Sequence, residues 1–232
     1  PDDFEYHMTD FKVDSKVALP IELAQDKETI STDELTWDAT IAAMLKILSY
    51  HPSHSDADYY REFIYAAKPT IRSELTEAGV IKAHNRDFSL AQELFQSLIG
   101  LDPDDINAIL NLAFAYEQHA VLAARNEEID KSVDLRTSAE KAYQRVLEIN
   151  PSHIDAHLNI AHFYLSQRRF KEVVPHLQIY LKHGKDLEHL TETRKLLHQI
   201  TADGLEKETF QTAHQLVLSG LESDGIKQID DF

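Results

Sequence analysis

Two histidines at helical spacing are the residues best placed to do chemistry in this chain. His153 and His157 are four residues apart, a spacing that could place both imidazoles on one helix face and bind a metal ion. The zinc-protease motif needs glutamate directly after its first histidine, and Ile154 stands there instead. With 13 histidines in 232 residues, chance pairs are also common. We therefore expect no metal site.

Other constellations that could support catalysis are incomplete. Gly220 and Gly225 have the spacing of a phosphate-binding loop, but Ile226 occupies the position where that loop requires lysine. Nothing in the chain resembles a nucleophile elbow, and the absence of cysteine excludes a cysteine nucleophile and a thiolate zinc site. Paired carboxylates such as Asp104 and Asp105 fall in turns or at helix starts, where their negative charge interacts favourably with the helix dipole. The sequence thus predicts a protein that is not an enzyme and has no catalytic residues, cofactor or metal.

Composition narrows the class of protein further. Apolar side chains make up 43% of the chain, which is enough for a core, yet no run approaches the ~18 apolar residues of a membrane-spanning helix. Six glycines and seven prolines are few for this length and favour helices over a turn-rich β fold. A net charge of −17 argues against a nucleic-acid partner, because such binding requires Lys and Arg to neutralise phosphates. No basic and apolar leader precedes Pro1, so we expect a cytoplasmic protein without a membrane span.

Three stretches of the chain share a proline at the end of an apolar helical run. Residues 99–105, 147–153 and, more loosely, 49–54 each end an apolar helical run with a proline. The same spacing of small and apolar residues then follows twice, as Ala108, Leu112, Ala115 and Tyr116 and as Ala156, Ile160, Phe163 and Tyr164. This repetition predicts a structure built from recurring pairs of helices.

The repeated pattern resembles the tetratricopeptide repeat (TPR) family, whose unit of about 34 residues is a pair of antiparallel helices with small residues at fixed contact points. Residues at those contact points are Gly79, Ala91 and Phe95 in a first unit and Ala113, Ala139 and Tyr143 in a second. The resemblance implies an all-α, right-handed α-solenoid of antiparallel helix pairs. It places three units at 72–105, 106–153 and 154–187.

The remaining segments are interpreted around these three units. Pro103 and Pro151 are 48 residues apart, so the second unit is expected to have two extra turns on each helix, about 10 Å of added length. Ser31 and Glu34 have the spacing of a capping box and begin a predicted helical hairpin at 31–71 that caps the array. At the amino-terminal end, residues 1–30 are expected to form an extended or weakly structured arm. At the other end, residues 188–232 are expected to form degenerate C-terminal helices, with a break between Ile200 and Phe210. The array is expected to continue past Phe232.

The resemblance also implies a concave groove that holds another polypeptide. When the family's groove positions are transferred to this sequence residue by residue, the residues that line the groove are Val80, Asn107, Leu110, Asn111, Phe114, Gln118, Leu158, Asn159, His162 and Leu165. Apolar side chains at the centre and asparagines beside them suit an apolar or amphipathic protein segment. One TPR subset uses Lys and Arg to clamp the carboxylate at a chaperone's tail, but Thr76, Asp155 and Asn159 occupy those positions here.

The predicted function is therefore a non-catalytic scaffold, or adaptor, for protein or peptide partners. Two alternatives stay open at this point. The chain could form a homo-oligomer through its exposed ends or the extended helix pair 117–138, or it could be the regulatory region of a larger protein. A separate alternative for the groove is that the apolar segment 11–23 folds back and fills it.

Overall fold

The computed structural model describes residues 11–21 and 36–218, with side chains up to residue 202. Within these residues the fold is all-α, with nine helices and no strand. They are α1 (Trp37–Tyr50), α2 (Ala57–Ala67), α3 (Ile71–His84), α4 (Phe88–Leu101), α5 (Ile106–Arg125), α6 (Ile129–Ile149), α7 (Ile154–Ser166), α8 (Phe170–His183) and α9 (Leu187–Leu218). The chain divides into two compact units, Pro1–Ile149 and Asn150–Phe232, and each is described by itself. The repeat boundaries 72–105, 106–153 and 154–187 stay predictions.

One tight turn recurs at the ends of α3, α5 and α7. Each helix is followed by a residue with positive φ, at Arg86 (63°), Glu127 (64°) and Arg168 (57°). The next amide in each turn donates back across the last helical turn: Asp87 to Lys82 at 2.9 Å, Glu128 to Ala123 at 2.9 Å, and Arg169 to Tyr164 at 3.0 Å. This is the Schellman arrangement, in which the positive-φ residue is most often glycine. It reverses the chain within three residues, so α3–α4, α5–α6 and α7–α8 are antiparallel pairs.

The segments that contain Pro103 and Pro151 form a second recurring turn, which directly precedes α5 and α7. Asp102 accepts a hydrogen bond from the amide of Asp104 at 3.3 Å, and Asn150 accepts one from Ser152 at 3.1 Å. The helix that follows is capped in the same way both times, by Asp105 accepting from the amide of Ala108 at 3.0 Å and by His153 accepting from Ala156 at 3.2 Å. The repeated sequence is thus a repeated turn and cap.

A close helix crossing joins the amino-terminal hairpin to the rest of the first unit. A Cβ added at Gly100 would lie 2.8 Å from the backbone carbon of Leu48, so α1 and α4 touch at a point where only glycine fits. The guanidinium of Arg61 on α2 donates to the carbonyl of Gly100 at 3.0 Å. Met44 and Phe63 are fully buried between the two hairpin helices. The predicted capping box at Ser31 and Glu34 lies outside the described residues.

Residues 11–21 form neither helix nor strand and pack on α2. The ring of Phe11 lies 5.5 Å from that of Tyr59 and 5.6 Å from that of Phe63, measured between centroids. The hydroxyl of Tyr60 donates to the carbonyl of Ala18 at 3.1 Å. The alternative that this segment fills the groove is therefore wrong for residues 11–21, because the aromatic surface of α2 provides its apolar contacts. Residues 22 and 23 lie outside the described part.

The pair α5–α6 is longer than its neighbours. These helices have 20 and 21 residues, whereas the other helices up to α8 have 11 to 14. Ala120, Ala123 and Leu135 form a small buried core in the added length, and the hydroxyl of Ser132 donates to the carbonyl of Ala120 at 2.9 Å. We call the end of this pair, residues 120–138, the finger.

The second unit contains α7, α8 and α9. Its core includes Ile160 and Phe163 of α7 and Val173 and Leu177 of α8, all at most 2% exposed. The expected break between Ile200 and Phe210 is wrong, because α9 is one continuous helix of 32 residues. No proline interrupts this stretch, and a single internal glycine costs a helix only about 1 kcal/mol relative to alanine.

Candidate partner-binding cleft

A cleft of about 380 Å³ opens between α3 and α5 in the first unit. Val80 on α3 is 49% exposed and Phe114 on α5 is 52% exposed, and both line this cleft. The full lining is Val80, Ala83, His84, Arg86, Phe88, Phe95, Asn111, Phe114 and Gln118. Large apolar side chains that are half exposed in a concave surface have area left to bury against a ligand. We call this surface the apolar cleft.

Two buried phenylalanines form the floor of the apolar cleft. Phe95 is buried against α3, where a Cβ added at Gly79 would lie only 2.6 Å from the Cε1 atom of its ring. Glycine at this position therefore allows the ring to approach the helix backbone. Phe88 is also buried and stacks on the imidazole of His119, with 5.9 Å between ring centroids. Because these rings are fixed by packing, the floor is rigid and apolar.

A second cleft of about 410 Å³ adjoins the first and shares Asn111 with it. Seven of the eight residues that line it are of polar types, namely Arg72, Ser73, Thr76, Glu77, Asp105, Asn107 and Asn111, and the eighth is Ala108. Arg72 donates to Asp105 at 2.6 Å and to Asp102 at 3.2 Å, so its charge is already compensated within the fold. The α3–α5 surface thus has large apolar side chains at one end and mainly residues of polar types at the other, and Asn111 belongs to both.

The titratable groups behind this surface stabilise the fold and line neither cleft. The hydroxyl of Tyr143 donates to the carboxylate of Glu117 at 3.2 Å and connects α6 to α5. Burial raises the pKa of Glu117, and burial together with the Glu117 carboxylate raises the pKa of Tyr143. Gln92 hydrogen-bonds Nδ1 of His119 at 3.1 Å, and burial lowers the pKa of His119. These pairs join neighbouring helices.

The predicted groove residues of the first unit fall into three groups. Val80, Asn111, Phe114 and Gln118 line the apolar cleft, and Asn107 lines the polar one. Leu110 is half-buried and lines neither.

The other predicted members lie on α7 in the second unit: Leu158 and Leu165 are half-buried, while Asn159 and His162 are exposed. The two sets thus belong to different compact units of the chain. Their role in binding stays a prediction.

The structure adds Arg86 to the rim of the apolar cleft. No carboxylate of the described residues forms an ion pair with its guanidinium. Sequence reasoning missed this residue because its place depends on the positive φ of the turn after α3, a conformation that an arginine does not signal. Phe88 and Ala83 were missed as well, since floor residues look like any other core residue in a helical pattern.

The histidines considered for metal binding have other roles. His153 caps α7, and His157 is buried, with Nε2 3.0 Å from the carbonyl of Pro151 and Nδ1 2.9 Å from Nδ1 of His176. Within the described residues, no group of three or more histidine, cysteine or acidic side chains could hold a metal ion. Across the same residues, none of the helices is both long and apolar enough to pass through a bilayer.

Comparisons with known proteins include a distant structural likeness. No protein-family model matches the chain, and no curated protein matches it. Among solved structures, the chain is similar to a mutant of MamA, with 17% sequence identity and a TM-score of 0.34 over 63% of this chain and 98% of that chain. A likeness at this level carries no argument about function. The clefts of the first unit are the features from which a function can be argued.

Proposed function

We propose that the chain is a non-catalytic protein-interaction scaffold and that its apolar cleft binds an apolar or amphipathic segment of a partner protein. The observation that carries this proposal is the pair Val80 and Phe114, each about half exposed and both lining one concave surface over a buried phenylalanine floor. Exposed apolar patches with polar groups at their edge commonly mark interaction sites.

The cleft provides both parts of a peptide-binding surface. Fully burying a phenylalanine side chain stabilises a complex by roughly 1.5–3 kcal/mol, and about half of the Phe114 surface is still available for burial. Asn111 and Gln118 carry amides that can donate to and accept from a peptide backbone at the same surface. Phe114 is therefore the proposed anchor, and the amides are proposed to fix the orientation of the bound segment.

The proposal also includes the groove residues of the second unit. Leu158, His162 and Leu165 have the spacing of one face of α7, and Asn159 is exposed beside them. We propose that they also contact a partner segment. The net charge of −17 continues to disfavour nucleic acid as that partner.

The test uses a peptide selected against the full chain from a display library of random linear peptides, labelled for fluorescence polarisation. We expect Phe114→Ala to weaken its binding by about 1–2 kcal/mol, roughly tenfold, because truncation removes a partly exposed anchor. Stability should change little, since Phe114 is already half exposed in the free protein. Urea unfolding of the same variant checks this.

Val133→Ala is the matched control for this substitution. Val133 is 55% exposed but lies on the finger, away from the lining of the apolar cleft. It should leave the affinity for the peptide unchanged. If Phe114→Ala collapses the fold and leaves binding intact, Phe114 is a core residue and the proposed site is wrong.

Self-association is a second candidate function, favoured by apolar side chains on the finger. Ile129 and Val133 are both mostly exposed and one helical turn apart on α6. Light scattering over a concentration series separates this candidate from the first. A mass that rises with concentration in the parent chain, and not in Val133→Asp, would support self-association through the finger.

A further inference from the structure

The second unit contains a hydrogen bond between two imidazoles. His157 on α7 is 3% exposed, and its Nδ1 atom lies 2.9 Å from Nδ1 of His176 on α8. The ring centroids are 5.1 Å apart. The other ring nitrogen of His157, Nε2, lies 3.0 Å from the carbonyl oxygen of Pro151. Neither ring forms an ion pair with a carboxylate in the described part of this unit.

These contacts fix where the protons are. A carbonyl oxygen only accepts hydrogen bonds, so Nε2 of His157 must carry the proton that it donates to Pro151. In a neutral imidazole the other nitrogen is then bare, and Nδ1 of His157 can only accept. The proton between the rings must therefore belong to Nδ1 of His176.

The pair tolerates one further proton but not a second. A single proton on the other ring nitrogen of His176 leaves Nδ1 of His176 donating to the bare Nδ1 of His157, in a hydrogen bond that the charge strengthens. A second proton would occupy Nδ1 of His157, so that two donors on two charged rings would face each other across 2.9 Å. Burial and the neighbouring His157 lower the pKa of His176.

The surroundings of the pair do not compensate such a charge. The ring of Tyr164 on α7 lies 5.9 Å from that of His176, and the guanidinium of Arg169, in the turn before α8, lies 4.4 Å from the centroid of the Tyr164 ring. Arg169 is itself paired with Glu172 on α8. From α9, the described side chains form no ion pair with either imidazole.

A proline interrupts the hydrogen bonding of α8 directly beside His176. Pro175 lies inside α8, directly before His176. A proline in a helix interior lacks the amide that would bond to the carbonyl four residues earlier and costs the helix stability. The part of α8 around His176 therefore depends on its contacts with α7.

We propose that His157 and His176 form an acid-sensitive latch that holds α7 against α8 while at least one of the two rings is neutral and releases them when both rings are protonated. Histidine in an unfolded chain titrates near 6.5, and the pKa of His176 in the folded unit is lower. The stabilisation is thus fully present above about pH 6.5 and is lost progressively as the pH falls below that value. The latch concerns the second unit alone and does not depend on the proposed binding function.

The experiment follows hydrogen exchange of the full chain between about pH 7.5 and about pH 5.5, with rates corrected for the intrinsic effect of pH. We expect protection of the α7 and α8 amides to fall by up to about tenfold, because about pH 5.5 lies one unit below the pKa of histidine in an unfolded chain, where a proton that the folded pair excludes favours opening. The variant is His176→Gln, whose amide can donate to Nδ1 of His157 or, after a flip, accept from it. It should lose less than half as much protection. The control His183→Gln, an exposed histidine on the same helix, should behave like the parent.

A second measurement keeps the proposal testable if the glutamine variant is unstable. At about pH 7.5, NMR of the ¹⁵N-labelled parent should show a scalar coupling between the two Nδ1 nuclei, and the coupling should disappear with the same pH midpoint as the loss of protection. Because exchange is read locally, titration of His119 in the first unit does not interfere. An absent coupling at about pH 7.5, or equal acid losses in the parent and in His176→Gln, overturns the latch.

Discussion

The apolar cleft and the finger both expose apolar side chains, yet they differ in what surrounds those side chains. In the cleft, Val80 and Phe114 lie over buried rings, with amides at the edge. On the finger, Ile129 and Val133 lie on one face of α6, among exposed charged residues such as Asp130. Exposure alone is similar in the two regions. Concavity and the supporting floor are what favour the cleft as the binding surface.

The largest expected effect concerns the alanines packed beneath each region. Ala91 packs with Phe95 under the cleft, and Ala139 on α6 lies in the longer helix pair; both are fully buried. Replacing either with leucine should destabilise the fold by roughly 1–3 kcal/mol, because an overpacked helix contact must shift. Urea denaturation provides the measurement.

The two variants should differ in binding. Ala91→Leu displaces the Phe95 ring that forms the floor of the cleft, so it should also weaken the affinity for the selected peptide. Ala139→Leu should leave the affinity unchanged, since α6 contributes no residue to the cleft. If both leucine variants unfold at the same urea concentration as the parent, the assigned helix contacts are wrong.

A smaller effect is expected at the tight turns that end α3 and α5. Arg86 and Glu127 both have positive φ, which is unfavourable for a side chain with a Cβ and favourable for glycine. Arg86→Gly and Glu127→Gly should each stabilise the chain by about 0.5–1 kcal/mol. This is a net gain: the relief of the unfavourable backbone conformation exceeds the entropic cost of ordering glycine, which is more flexible in the unfolded chain. Thermal unfolding measures this gain.

Only one of these glycine variants should alter binding. Arg86 lines the apolar cleft, whereas Glu127 lies at the end of the finger. The affinity for the selected peptide should therefore change in Arg86→Gly and stay the same in Glu127→Gly. A change in Glu127→Gly alone would move the proposed binding surface from the cleft to the finger.

Much of the local structure could be predicted from the sequence because it is specified locally. The phrases around Pro103 and Pro151 are turns with the same hydrogen bonds, and the small residues Gly79 and Ala91 lie at close helix contacts. The turns depend on residues within one helical turn, and the close contact at Gly79 joins two consecutive helices. The all-α fold follows from them and from the scarcity of turn residues.

The features that the sequence did not reveal depend on distant or unusual contacts. Residues 11–21 pack on α2 through Phe11 and Ala18, contacts more than 40 residues apart in sequence. His157 forms a hydrogen bond with His176 on the next helix. The sequence spacing suggests instead that His157 could share one helix face with His153. Periodicity identifies which face of a helix is buried and does not identify the residue that meets it.

The most direct test of the central claim is to locate the selected peptide on the full chain by NMR chemical-shift mapping. If the account is right, the largest shift changes fall on the lining of the apolar cleft, at Val80, Asn111, Phe114 and Gln118, with little change at Ile129 or Val133. Largest changes on the finger, with Val80 and Phe114 unaffected, would contradict it.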